Sequence, residues 1–242
     1  MTSTVYFDIR IDDKNYILFD PALLTHPCSD LFSCEALADR ALVTGWAHGR
    51  GETCFFRWGE HEWVLRHFRR GGVIAQYLKD MYFGCNVNAA RSWREWHLLR
   101  TLYDHGYPVP RPVAARVVRN FGWYRADLIT VRIPGSRTLD DYLRNQALSK
   151  AIWFSIGACV KSFHDRGVYH ADLNARNILL DDDDKVYLID FDRCKIKNLN
   201  WWKNSNLKRL QRSLRKHKTN SESFNFSDHD WCGFMNGYCQ KS

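Results

Sequence analysis

Up to about residue 66 the chain alternates short β-prone runs with turns. "STVYFDIRI", "NYILF", "ALVTGWAHGRGETCFFRW" and "EWVLRHF" are apolar or β-branched stretches broken by polar and glycine positions. The period changes in "RSWREWHLLRTLYDHG", where Trp93, Trp96, Leu99 and Tyr103 recur at a helical spacing that stops at Gly106. "YPVPRPVAARVV" reads as an extended connection punctuated by proline, "ADLITVRI" as a strand, and "PGSRTLDDYL" as a turn entering a helix at Leu139. The clearest helix is predicted over 149–166. Ser149 caps it, Ile152, Ile156, Cys159, Val160 and Phe163 fall on one face, and Gly167 stops it. Two short apolar runs, Ile178 to Leu180 and Val186 to Ile189, read as strands joined by a turn. From Trp201 the chain is predicted to be helical through His217 and irregular later. A mostly β part, a helix, a strand crossing and a mostly helical part predict an α+β chain in two lobes.

Charge changes that picture in one place. The net charge is +8, yet residues 193 to 218 hold ten Lys and Arg and no acid, so the remainder is close to neutral. In "WWKNSNLKRLQRSLRKHK" the leucines 207, 210 and 214 share a face, with Lys208, Arg209, Arg212, Arg215 and Lys216 around them. Trp beside Lys and Arg suits an anionic membrane interface. A helix with leucines in the core and a solvated basic face suits the same residues, and the two readings can coexist. Nucleic acid is not expected, because no RNA- or DNA-binding motif accompanies the charge. Eight cysteines form no CxxC pair, which argues against a zinc ribbon or a thioredoxin-type site. The start, "MTSTVYFDIRIDDKNY", lacks the basic head and apolar run of a signal peptide, and the apolar stretch 151–160 is too short to cross a bilayer. A reducing, cytoplasmic compartment is expected.

The candidate chemistry lies in "YHADLNARNILLDDDDKVYLIDFDR", residues 169 to 193, where His170, Asp172, Asn177 and Asp190 stand at the ends of the two strand-like runs. Two carboxylates and an amide oxygen are hard ligands, suited to Mg²⁺ rather than zinc. Magnesium with a carboxylate base is what phosphoryl transfer to a hydroxyl requires. Singly, each residue is also a common turn former; the four together favour a site. The run Asp181 to Asp184 reads as a charged hairpin turn only.

"H-A-D-L-N-A-R-N" followed by "D-F-D" resembles the H-x-D-x-x-x-x-N loop and D-F-G motif of the protein-kinase-like superfamily. That resemblance implies a bilobal kinase-like domain, with an antiparallel-sheet N-lobe carrying one helix over 1–130 and a mainly helical C-lobe over 131–242. It implies ATP and Mg²⁺ as cofactors. Asp172 would accept or orient the proton of the acceptor hydroxyl, Asn177 and Asp190 would hold Mg²⁺ against the phosphates, and His170 would brace the loop. Upstream, Gly49, Arg50 and Gly51 in "AHGRGETCFF" match the phosphate-covering loop, with Cys54 where its third glycine belongs. Arg66 in "EWVLR" stands where most kinases place a phosphate-binding Lys, and Glu95 is its natural partner.

"LRHFRRGG", "RIPGSRTL", "YHADLNARNILL" and "IDFDR" together resemble one branch, the 3-deoxy-D-manno-octulosonic acid (Kdo) kinases of Gram-negative bacteria, relatives of the lipopolysaccharide core heptose kinases. The likeness runs from about Gly49 to Leu210. It implies phosphorylation of the Kdo 4-hydroxyl on the lipid A precursor, by a peripheral protein at the cytoplasmic face of the inner membrane. Arg69 and Arg70 are candidates for binding a carboxylate or phosphate of that acceptor, or form a solvated turn. Asn174 stands where protein kinases use Lys, favouring a small-molecule or glycolipid acceptor. Asp192 replaces the last glycine of D-F-G and is read as a further metal-shell or structural carboxylate. Alternatives are a heptose, protein or aminoglycoside kinase, and a pseudokinase acting as a membrane module. Arg66 is the best support for that last reading, and the intact Asp172, Asn177 and Asp190 set opposes it.

Overall fold

Alternation at period two, then helices packed through glycine, accounts for the two halves of this chain. The computed structural model describes residues 6–47, 53–69, 80–84, 86–198 and 200–240. It divides into one unit of residues 1–101 and 110–132 and a second of 102–109 and 133–242.

The first unit is an antiparallel sheet. Its strands are β1 (Phe7–Arg10), β2 (Asn15–Phe19), β3 (Val43–Ala47), β4 (Thr53–Trp58), β5 (His61–His67), β6 (Tyr82–Phe83), β7 (Pro112–Asn120) and β8 (Trp123–Val131). Their order is β1-β2-β7-β8-β5-β4-β3, with β6 added to β8. On β5 the pleat sends Trp63 and Leu65 into a core shared with Ile17, Phe19, Cys54, Phe56 and Ile129. Val64 and Arg66 therefore take the other face. A short helix, α1 (Cys34–Asp39), adds Leu37 to the same core.

Helix α2 (Arg91–Asp104) buries Trp93, Trp96 and Leu99 as the spacing predicts. Its last turn buries Leu102 and leaves Tyr103 exposed. The segment expected to be a connection is instead a central strand, since β7 pairs with β2 on one side and β8 on the other. Val113, Ala114, Ala115 and Val117 are all buried, so no polar alternation marks the strand. Pro112 is tolerated because it is the first strand residue.

The second unit contains α3 (Leu139–Asn145), α4 (Lys150–Asp165), α5 (Lys203–Asn220) and α6 (Asp228–Tyr238). Short strands β9 (Arg137–Thr138), β11 (Ile178–Leu180) and β12 (Val186–Leu188) form one sheet; β10 (Val168–Tyr169) and β13 (Lys195–Ile196) pair in another. Ser149 Oγ accepts from the Ile152 amide (3.2 Å), and Gly167 ends the helix at φ +83°. The buried face of α4 is Trp153, Ile156, Gly157, Val160, Phe163 and His164. Ile152 and Cys159, expected on it, lie at its edge and are half-buried.

That rotation has a cause in α6, which the sequence pattern does not reveal. A Cβ on Gly157 would lie 1.9 Å from the Phe234 carbonyl oxygen, and one on Gly237 would lie 1.9 Å from that of Phe154. The α4–α6 contact is thus backbone against backbone. Where irregular chain is expected, Ser227 and Asp230 form a capping box that starts α6. Two internal glycines weaken its helical signature, since each costs about 1 kcal/mol against Ala. Among the described residues no helix is long and apolar enough to cross a membrane. The α+β class expected from element order, with the antiparallel sheet that the resemblance implies, is what the chain adopts.

Candidate active site

The loop from His170 to Asn177 is fixed from beneath and open above. His170 is buried, and its Nε2 donates to the Ile189 carbonyl (3.0 Å), tying the loop to the end of β12. Burial holds its pKa below the usual histidine value, so the ring is neutral, although the charges of Asp190 and Asp172 act on it in the opposite sense. Phe191 packs against the same ring, 5.1 Å between centroids. The backbone of Asp172 is held by two amides: Asn177 Nδ2 donates to its carbonyl at 2.8 Å and Asn174 Nδ2 at 3.0 Å. The Asp172 carboxylate, by contrast, is 62% exposed.

Asn177 is buried and Asp190 half-buried. Asp190 has φ +61°, a left-handed conformation that is uncommon for a residue with a Cβ. Strain of this kind persists where the surroundings over-determine it, and it clusters at functional sites. Part of that surrounding is Cys194, whose Sγ accepts from the Ala171 amide (3.3 Å) and so fastens the segment after Asp190 to the loop. Asp192 is half-buried in the same turn. The aspartates from 181 form a hairpin turn, with Asp181 accepting from the Asp183 and Lys185 amides.

In the first unit Arg66 and Glu95 form an ion pair, as their positions predict. Glu95 is almost wholly buried on α2, and the Arg66 guanidinium lies 4.6 Å from the Phe68 ring centroid. Next along β5, His67 Nδ1 meets Asp127 at 2.5 Å and its Nε2 lies 3.5 Å from Asp80. Burial alone would depress this imidazole, but the Asp127 hydrogen bond and the two carboxylate charges outweigh it and raise its pKa. Arg69 is described and exposed. Gly49, Arg50, Gly51 and Arg70 lie outside the described residues. Cys54, at the third-glycine position, is buried in the core on β4 with the Cys34 thiol 3.1 Å away.

Helix α5 contributes what sequence reading misses. Tyr238 donates to His164 Nδ1 (2.8 Å), His164 Nε2 donates to Asn206 Oδ1 (3.1 Å), and Asn206 Nδ2 donates to the His170 carbonyl (2.6 Å). This buried chain requires a neutral His164, and desolvation lowers that pKa to about 4. Three residues on, Arg209 Nη1 lies 3.5 Å from Asp172 Oδ1. Near its far end, His217 Nδ1 is 3.1 Å from buried Asp140, which Arg144 and Arg176 also face. The sequence shows Arg209 only as one cation in a basic run; its partner is a tertiary contact with no local signal.

The family model described as the lipopolysaccharide kinase (Kdo/WaaP) family matches residues 35–238. A curated relative from Vibrio parahaemolyticus serotype O3:K6, "3-deoxy-D-manno-octulosonic acid kinase", is 41% identical over 205 residues, 85% of this chain and 86% of the relative. A protein of the same description from Photobacterium damsela subsp. piscicida is 40% identical, covering 90% of this chain and 91% of its own length. Another from Haemophilus influenzae (strain PittGG) is 36% identical, covering 94% and 98%.

Proposed function

The chain belongs to the lipopolysaccharide kinase (Kdo/WaaP) family, and from that premise we propose that it transfers the γ-phosphoryl group of ATP to the 4-hydroxyl of the Kdo residue on the lipid A precursor. The observation that carries the reading is the exposed carboxylate of Asp172 on a loop whose backbone is pinned by Asn174, Asn177 and His170. Asp172 accepts or orients the proton of the attacking hydroxyl, and rigid support keeps the carboxylate from swinging away. Arg66, aimed by buried Glu95, holds nucleotide phosphates.

The donor set suits magnesium. Asn177 commits its amide nitrogen to the loop and retains its oxygen, and Asp190 adds a carboxylate. One or two such hard ligands, completed by substrate phosphates, are what Mg²⁺ usually takes. When bound, it would neutralise charge on the transferring phosphoryl group. We place the protein peripherally on the cytoplasmic face of the inner membrane, because its acceptor is a lipid. Trp201 is 73% exposed with Lys197 over its ring at 5.3 Å, and Lys208, Arg212, Arg215 and Lys216 face solvent. The leucines 207, 210 and 214 are buried, so any lipid contact of α5 runs through charge rather than an apolar stripe.

The test is phosphate transfer from labelled ATP with Mg²⁺ to Kdo-bearing lipid A precursor, wild type against Asp172→Ala. Label in the glycolipid with wild type alone supports the reading. Equal label with the variant would remove Asp172 from its role. No label with ATP still bound would redirect the search to heptose-bearing acceptors.

A further inference from the structure

We infer that Arg209 is the residue that reads the acceptor's carboxylate: an acidic sugar sets its carboxylate on the Arg209 guanidinium and thereby brings its hydroxyl to Asp172. The inference rests on the kinase reading and deepens it. Three features of the site support it.

The first is position. Arg209 Nη1 stands 3.5 Å from Asp172 Oδ1. A cation there lies beside the atom that receives the hydroxyl proton, within reach of a second substituent on the same sugar. In this chain Asn174 occupies the loop position where protein kinases place Lys, and its amide serves the loop backbone. Among the described residues, the cation paired with Asp172 comes from α5.

The second is rigidity. Asn206, one turn before Arg209, is buried and donates to the His170 carbonyl at 2.6 Å. At the other end of the helix His217 meets buried Asp140 at 3.1 Å. The helix is thus held to the loop one turn before Arg209 and lies against α3 near its far end, which fixes where its side chain starts.

The third is exchangeability. The Arg209 side chain is 50% exposed and that of Asp172 62%. An exposed pair of this kind contributes little to stability and gives way readily to a better partner. A guanidinium offers five donors in a planar fork, so it can accept a ligand carboxylate in bidentate fashion while still facing Asp172. Lys could not match that geometry.

The experiment compares two acceptors, Kdo-bearing lipid A precursor and its carboxyl-reduced form, with wild type, Arg209→Ala and Arg209→Lys, each checked by thermal unfolding and by KM for ATP. Wild type is expected to favour the acid. Arg209→Ala should raise KM for the acid acceptor about 10- to 100-fold, the range for a lost charge-assisted hydrogen bond, and should leave KM for ATP and for the reduced acceptor unchanged. Arg209→Lys should recover part of the loss. Equal losses on both acceptors, or a fall in kcat alone, would reduce Arg209 to a positioning residue and overturn the inference. A wild type that phosphorylates both acceptors equally would overturn it while leaving the kinase reading intact. A wild type that labels neither would overturn both.

Discussion

Glu95 and Asp172 each face an arginine, in surroundings that differ by almost every physical measure. Glu95 is 2% exposed and its partner Arg66 24%, whereas Asp172 is 62% exposed and Arg209 50%. In the first pair the carboxylate is removed from water, so each charge depends on the other. In the second both charges keep much of their hydration and the pair is nearly neutral in free energy. A carboxylate facing an arginine thus makes a fixture in one unit and an exchangeable contact in the other. The proposed roles fit that contrast: a phosphate-binding cation needs a fixed aim at every turnover, and a base that meets a new hydroxyl each time needs an open one.

The largest effect expected at these pairs is on turnover. Asp172→Ala should lower kcat by about 10³-fold or more, the scale of a lost general base, with Tm nearly unchanged because the loop is held by its backbone; steady-state transfer assays and thermal unfolding check both halves. Glu95→Gln should instead cost roughly 3 kcal/mol of unfolding free energy and raise KM for ATP, read by urea denaturation beside the kinetics. If that variant is as stable as wild type, the buried pair is not the fixture described.

The contrast extends to one histidine in each unit, with opposite signs. His164 has its pKa lowered to about 4 by burial, so its contribution is complete above the unfolded value near 6.5 and is lost as pH falls toward 4. That loss is about 3 kcal/mol at most, and His164→Gln should flatten the acid limb of Tm against pH. His67 is raised by Asp127 and Asp80 against the effect of burial, so its contribution is present below 6.5 and lost as pH rises through the folded value. His67→Gln should flatten the alkaline side instead. The smallest effect belongs to the open pair: Arg209→Ala should change unfolding free energy by no more than about 0.5 kcal/mol, measurable in the same denaturation series.

Much of the candidate site was legible in the chain because its chemistry is local. His170, Asp172 and Asn177 lie within eight residues, and the strand-like runs around them supply the frame, so spacing alone brings them together. Glu95 was legible as the partner of Arg66 because a kinase-like order of elements puts a helix after that strand. The β7 strand was not, since burial on both faces erases the alternation by which a strand is recognised. Nor was α6: its docking face is glycine, and an absent side chain leaves no hydrophobic stripe to read.

What the sequence by itself determined, then, is the set of candidate reacting groups and the local turns that carry them, because hydrogen-bonding chemistry and short-range periodicity are written residue by residue. Tertiary structure decided which charges are buried, which are open, and that Arg209 of a distant helix stands beside Asp172. Those outcomes depend on contacts between residues 36 to 77 positions apart (Asn206 with His170, His217 with Asp140), and on the desolvation that packing imposes. Neither is a property of any segment alone.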